Sequence, residues 1–241
     1  RKSIEITYAN LKEKGVNDLL NLNQVKIKDI PYNYQLIPGK PNSKTGEASF
    51  KWLTIAVQEL LKGNGNALVT GPISKATWHD AGYQYPGQTE RLAELAGVKQ
   101  ADMLFTAKSP HTGWSFNTLL ATTHIPLKEI PKILTPSIVN AKLNALLNFC
   151  TKYKSDPRLI VPGLNPHAGE EGKIGDEEIN WLIPMMNEWK KQHPNVTLDG
   201  PISPDTCWIE AANAWKISKT NAPDGFLALY HDQGLIPVKL I

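Results

Sequence analysis

The chain has 241 residues, 41% hydrophobic and 20% charged, enough to bury a substantial core as one large domain or two modest lobes. Its 26 Lys and Arg against 23 Asp and Glu leave a net charge of +3, spread along the chain rather than gathered in runs, which argues against nucleic acid and membrane surfaces as partners. The two cysteines, Cys150 and Cys207, stand outside any Cys-x-x-Cys pattern, which argues against a disulfide framework or thiolate cluster and suits a reducing cytoplasm.

No apolar stretch approaches the roughly 18 residues of a membrane helix, and Arg1-Lys2-Ser3-Ile4 lacks a signal-peptide apolar region. The recurring unit is a short apolar run closed by a Gly/Pro/His loop and then a helix-period stretch, the pattern of an α/β protein. Phe50, Leu53, Ala56, Val57, Leu60 and Leu61 recur at helical spacing up to Gly63, and Ala67-Leu68-Val69-Thr70 then reads as a strand. Thr89 to Ala96 predicts a short helix capped by Thr89 and ended by Gly97. Asp102 to Thr106 and Phe116 to Thr123 predict strands around a Pro110-His111-Thr112-Gly113 turn, an antiparallel pair within a mixed sheet. Ser137 to Phe149 predicts a longer helix, Leu159-Ile160-Val161 a strand, Glu177 to about Lys191 a helix, and Gly225 to Tyr230 a last strand ending at His231. No repeat or linker stands out, so a division into two domains would be discontinuous in sequence.

In open α/β sheets ligands bind beyond the carboxyl ends of the strands, so polar residues that follow apolar runs are the first site candidates. His124, His167 and His231 each do so. Three imidazoles with an open fourth position suit a catalytic zinc or another borderline divalent ion; on the residues alone, unrelated loop and core histidines remain the alternative. The loop Gly163-Leu164-Asn165-Pro166-His167-Ala168-Gly169-Glu170 concentrates turn formers, a ligand type and a carboxylate. In Tyr230-His231-Asp232-Gln233-Gly234, Asp232 is a candidate orienter of an imidazole, the alternative being a turn in which Asp232 and Gln233 satisfy their own backbone. Thr70-Gly71-Pro72-Ile73-Ser74-Lys75 lacks P-loop spacing, and the absence of Gly-x-Gly-x-x-Gly argues against a Rossmann fold.

Taken together, Thr70 to Lys75, Gly87-Gln88-Thr89-Glu90, Thr123-His124-Ile125-Pro126-Leu127, Gly163 to Glu170 and Tyr230 to Gly234 resemble, in order and spacing, the 4-hydroxythreonine-4-phosphate dehydrogenase (PdxA) family of pyridoxal phosphate biosynthesis. The resemblance runs from about Pro38 to the last residue. It implies a two-lobed α/β/α subunit similar to isocitrate and isopropylmalate dehydrogenases, its lobes interleaved in sequence over one continuous region, 1–241. It further implies a homodimer with the active site at the subunit interface. The divalent metal (zinc, magnesium or cobalt) would be bound by His124, His167 and His231, with NAD or NADP as hydride acceptor through residues the sequence does not reveal. Gln88, Thr89 and Lys239 would hold a small phosphorylated amino-acid substrate, and Lys239 and Asp205 would serve the chemistry.

The implied reaction is oxidation and decarboxylation of 4-phosphohydroxy-L-threonine to 3-amino-2-oxopropyl phosphate, toward pyridoxine 5'-phosphate. A divalent ion suits both steps as a Lewis acid, and Lys239 suits an anionic group of the substrate. The sequence departs from the family pattern in three places. Gln88 stands where family members usually have His, and it can hydrogen-bond a phosphate but not carry its proton. The family's N-terminal Gly-Asp-Pro strand-loop and its terminal Asn and Arg are not among these residues. The competing readings are a related dehydrogenase of another phosphorylated hydroxy acid, a three-histidine metal hydrolase, and a binding remnant.

Overall fold

In the computed structural model, which describes residues 2–16, 19, 21–32, 34, 37, 39–98 and 101–240, the chain divides into two units, Arg1–Ala101 and Asp102–Ile241. Pro38, where the family resemblance begins, lies outside the described residues. The units follow one another in sequence; interleaved lobes are what the resemblance implies for a whole subunit.

The first unit is helical among its described residues: α1 (Lys2–Glu13), α2 (Ser43–Leu61), α3 (Lys75–Asp80) and α4 (Gln88–Leu95). Helix α2 starts in a capping box, the Asn42 side chain accepting from Thr45 N–H and the Thr45 hydroxyl from Asn42 N–H, which satisfies two otherwise unpaired donors. Phe50 and Leu53 of α2 pack on the buried Trp78 of α3, and the Phe50 ring stacks on Tyr83 at 3.7 Å. Gly46 permits this approach, because a Cβ there would lie 2.0 Å from the Thr77 carbonyl oxygen.

Two expectations for this unit change. Residues 67–70 form no strand, and Val69 is 95% exposed. A strand exists only where a neighbour completes its backbone hydrogen bonds, and no other strand occurs among the unit's described residues. Helix α4 starts at Gln88, with Gly87 as N-cap and no side-chain capping bond, so Thr89 is inside the first turn rather than capping it.

The second unit contains one sheet among the described residues: β1 (Leu104–Lys108), β2 (Ser115–Leu120), β3 (Arg158–Pro162), β4 (Thr197–Ile202) and β5 (Gly225–Ala228), in spatial order β1-β2-β5-β3-β4. The β1–β2 pair is antiparallel and all other pairs are parallel. Helices α5 (Ile130–Ile133), α6 (Pro136–Cys150), α7 (Ile183–Gln192), α8 (Ile209–Lys216) and α9 (His231–Leu240) complete the unit, making it a mixed α/β structure.

Strand side chains alternate between faces. Leu119, Leu159, Val161 and Leu227 join Val139, Leu143 and Leu146 of α6 and Met186 and Trp189 of α7 in one core. On the other face Phe116, Ile160 and Phe226 pack with Ala211 and Ala214 of α8, and Leu120 and Ala228 with Leu235 of α9. Burial on both faces explains why these strands read as continuous apolar runs. Among the described residues no helix is long and apolar enough to cross a membrane.

Several boundaries shift for local reasons. The helix expected from Glu177 opens as a π-helical turn, Glu178–Leu182, before α7; Pro184 has no N–H with which to continue an α-helical ladder. The last strand stops at Ala228, and His231 starts α9. Strand β4 was hidden by Gly200 and Pro201, which weaken a strand pattern; its place at the sheet edge is where a strand tolerates proline.

Candidate active site at the carboxyl edge of the sheet

The four parallel strands lie side by side in the order β2, β5, β3, β4, and each runs at its carboxyl end into one of the expected residues. His124 follows β2, His231 follows β5, His167 follows β3 and Asp205 follows β4. Loops 26 to 43 residues apart in sequence (231 − 205, 167 − 124) are thus brought to one edge by parallel pairing. The His124 and His231 rings come together, with centroids 5.4 Å apart. Asp232 contacts His231 directly, Oδ1 lying 2.7 Å from Nδ1, the outer carboxylate that typically fixes an imidazole's tautomer and orientation.

The donor chemistry of this pair fits a divalent ion, since imidazole nitrogens are common ligands of zinc and other borderline metals. His167 lies in the loop that follows β3, the strand next to β5. Among the described residues no group of three His, Cys, Asp or Glu side chains is close enough to hold a metal ion together.

The loop bearing His167 is shaped by a buried carboxylate. Glu178, fully buried, accepts through Oε1 from the N–H groups of Leu164 and Asn165, both at 2.8 Å, and through Oε2 from Asn165 Nδ2 at 2.8 Å. Beyond it, His167, Ala168, Gly169, Glu170 and Glu171 all have left-handed backbone, with φ between 44 and 80°. That region disfavours residues with a Cβ by roughly 1–2 kcal/mol each, so the surroundings must hold the turn. Gly169 is required for contact as well as φ, because a Cβ there would come 2.8 Å from Glu178 Oε2 and 2.6 Å from the Gly175 carbonyl oxygen. Sustained left-handed backbone of this kind concentrates at functional sites.

Asp205 is exposed and its carboxyl is held below the usual range, chiefly by the Ser203 hydroxyl that donates to it, with a smaller contribution from His167. Lys239 is exposed in the last turn of α9. It stands eight residues beyond His231 (239 − 231), about 12 Å of helical rise, so the structure does not bring it beside the histidine pair. Gln88 and Thr89 belong to the first unit, where the Gln88 side chain accepts from Thr70 Oγ1 at 2.8 Å and donates to the Gly71 carbonyl at 3.0 Å. Two of the conspicuous blocks, Thr70-Gly71-Pro72 and Gly87-Gln88-Thr89, therefore meet through one side chain.

Sequence reasoning missed Glu178 and gave Gln233 no role beyond its own turn. A signal for Glu178 existed: Glu178, Leu182, Met185 and Trp189 follow the buried face of one helical stretch, and a carboxylate on an apolar stripe marks a buried acceptor. Gln233 carried no such signal, because one of its partners is 70 residues away.

The model of a family described as "Pyridoxal phosphate biosynthetic protein PdxA" matches residues 2–241. A curated Synechococcus sp. protein named 4-hydroxythreonine-4-phosphate dehydrogenase is 49% identical over 243 residues, covering 100% of this chain and 74% of that protein. An Aquifex aeolicus protein of the same name is 36% identical, over 95% of this chain and 64% of its own length. The solved 4-hydroxythreonine-4-phosphate dehydrogenase from Klebsiella pneumoniae superimposes with a TM-score of 0.69 at 31% identity, covering 85% of this chain and 58% of that one. This chain thus spans less than two thirds of that solved chain. With a family model matched along nearly its whole length and a relative at 49% identity, the chain belongs to the PdxA family of pyridoxal phosphate biosynthetic proteins.

Proposed function

We propose that the protein oxidises and decarboxylates 4-phosphohydroxy-L-threonine with NAD or NADP, giving 3-amino-2-oxopropyl phosphate on the route to pyridoxine 5'-phosphate. The observation that carries this reading beyond family membership is the meeting of His124 and His231 at the carboxyl edge of the sheet, with His167 delivered by the adjoining strand. These three histidines would hold a divalent ion such as zinc, magnesium or cobalt. When bound, such an ion supplies Lewis-acid polarisation of a substrate oxygen.

The chain's own residues support this chemistry in distinct ways. Asp232 orients His231. Asp205, whose carboxyl is held below the usual range chiefly by the Ser203 hydroxyl, is assigned as the proton acceptor. Lys239 offers a point charge for an anionic substrate group, and Gln88 and Thr89 offer hydrogen bonds to a phosphate. The substrate's hydroxyl loses a proton and its carbinol carbon a hydride to the nicotinamide. Carbon dioxide then leaves from the carbon beside the new ketone, and a proton takes its place.

The complete subunit is inferred to be a two-lobed α/β/α fold of the isocitrate and isopropylmalate dehydrogenase type, working as a homodimer in the cytoplasm with the site at the subunit interface. A related dehydrogenase of another phosphorylated hydroxy acid is the second reading, favoured by Gln88, whose side chain is engaged by Thr70 and Gly71. Nicotinamide reduction by the complete protein on a panel of phosphorylated hydroxy acids, with and without chelator, tests both. Turnover confined to 4-phosphohydroxy-L-threonine and abolished by chelator is expected. Metal-dependent turnover without nicotinamide would point to a hydrolase, and turnover unaffected by chelator would remove the metal from the mechanism.

A further inference from the structure

One buried side chain ties together the two loops that carry His231 and His167. Gln233, in the first turn of α9 and 6% exposed, accepts through Oε1 from the Leu229 N–H at 2.7 Å and donates through Nε2 to the Gly163 carbonyl at 2.7 Å. Leu229 precedes His231 by two residues and Gly163 precedes His167 by four. A primary amide can serve both a backbone N–H and a backbone C=O, whereas an ionised carboxylate only accepts and an ammonium only donates. Glu178 accepts from the N–H groups of the next two residues, Leu164 and Asn165.

We propose that Gln233 is a positioning residue that sets the register of the His231 loop against the His167 loop. The proposal rests on the metal site argued above. It explains how a left-handed turn that backbone preferences oppose is tied to a helix start that follows a different strand: the two are joined through a single buried amide, where an unmade hydrogen bond is costly. The local turn open for Gln233 in the sequence is present as its bond to Leu229, and the structure adds a second, long-range bond at Gly163.

Two substitutions in the complete protein separate the bridge from the local turn. Gln233→Glu, measured at a pH where the introduced carboxyl is ionised, keeps an acceptor for the Leu229 N–H and loses the donor to Gly163, whereas Gln233→Met loses both. In metal-free protein, hydrogen exchange at the Leu164 and Asn165 amides should speed up at least about tenfold in both variants. The Leu229 amide should lose protection only in Gln233→Met. Cobalt(II) affinity, read from its visible absorption, should fall about 10- to 100-fold in both, the range seen when outer partners of metal ligands are removed. Val139→Ala, a core substitution on α6, should lower thermal stability and leave cobalt affinity unchanged. Retained protection at Leu164 and Asn165 in both variants, or an equal loss of cobalt affinity in Val139→Ala, overturns the proposal. Failure of the unaltered protein to bind cobalt overturns the metal site itself, and the exchange measurement then decides the bridge by itself.

Discussion

The carboxylate of Glu178 receives the backbone N–H groups of both Leu164 and Asn165 at 2.8 Å, so the entry to the His167 loop is fixed by a side chain from the π-helical turn eleven residues further on (178 − 167). Glu178→Ala leaves these donors without a partner beside a fully buried position. Each such donor costs about 1–3 kcal/mol, so a loss of about 2–6 kcal/mol in urea denaturation is expected. Glu178→Gln keeps one oxygen for the two N–H groups but turns its own amide toward Asn165 Nδ2, and should lose about half as much. A loss below about 1 kcal/mol for the alanine variant would show that the loop is held by other contacts.

The left-handed turn makes an opposite prediction at Glu171, which is exposed at φ 56°. Glycine has no Cβ to clash there, a relief of roughly 1–2 kcal/mol, offset by about 0.5–1 kcal/mol of extra unfolded-state entropy. Glu171→Gly should therefore raise Tm by about 1–3 °C in a chain of this size. A lowered Tm would mean that the side chain contributes more than its backbone conformation costs.

Helix α9 lies so close to the sheet that a Cβ on Gly234 would come 2.6 Å from Leu120 Cδ2 and 2.9 Å from the Ala228 Cβ. Gly234→Ala should cost about 1–3 kcal/mol by overpacking, visible as a lower urea midpoint at unchanged slope. Leu120→Val shortens the opposing side chain, and combining the two should recover part of the loss. Simple additivity of the two losses would count against this contact as the cause.

Burial pushes the thiols of Cys150 and Cys207 up to about 12, with Asp224 adding to the effect at Cys150 and Asp205 at Cys207. In the unfolded chain they would ionise near their ordinary value of 9.0. Their contribution to stability is thus fully present below pH 9 and declines as pH rises from there toward 12. Ellman's reagent should react slowly with the native protein at pH 8 and with two thiols after unfolding. Rapid native labelling would contradict their burial.

The periodicity of the chain by itself determined the α/β class, the β1–β2 hairpin, the long helix before β3 and the strand before His231. These rest on local apolar patterns that tertiary packing then buries. The order of the glycine, proline and histidine blocks was specific enough to indicate the family.

Tertiary structure decided what depends on pairing across the sheet. Residues 67–70 have the composition of a strand, but strand formation requires a hydrogen-bonding neighbour that local sequence cannot supply. The order β2-β5-β3-β4 set which histidine stands beside which, bringing His124 and His231 together while Lys239 is carried away along α9. Gln233 and Glu178 acquire their roles only through partners 70 and 13–14 residues distant. A hydrogen bond is a property of two groups in space, and a single sequence position reveals only one of them.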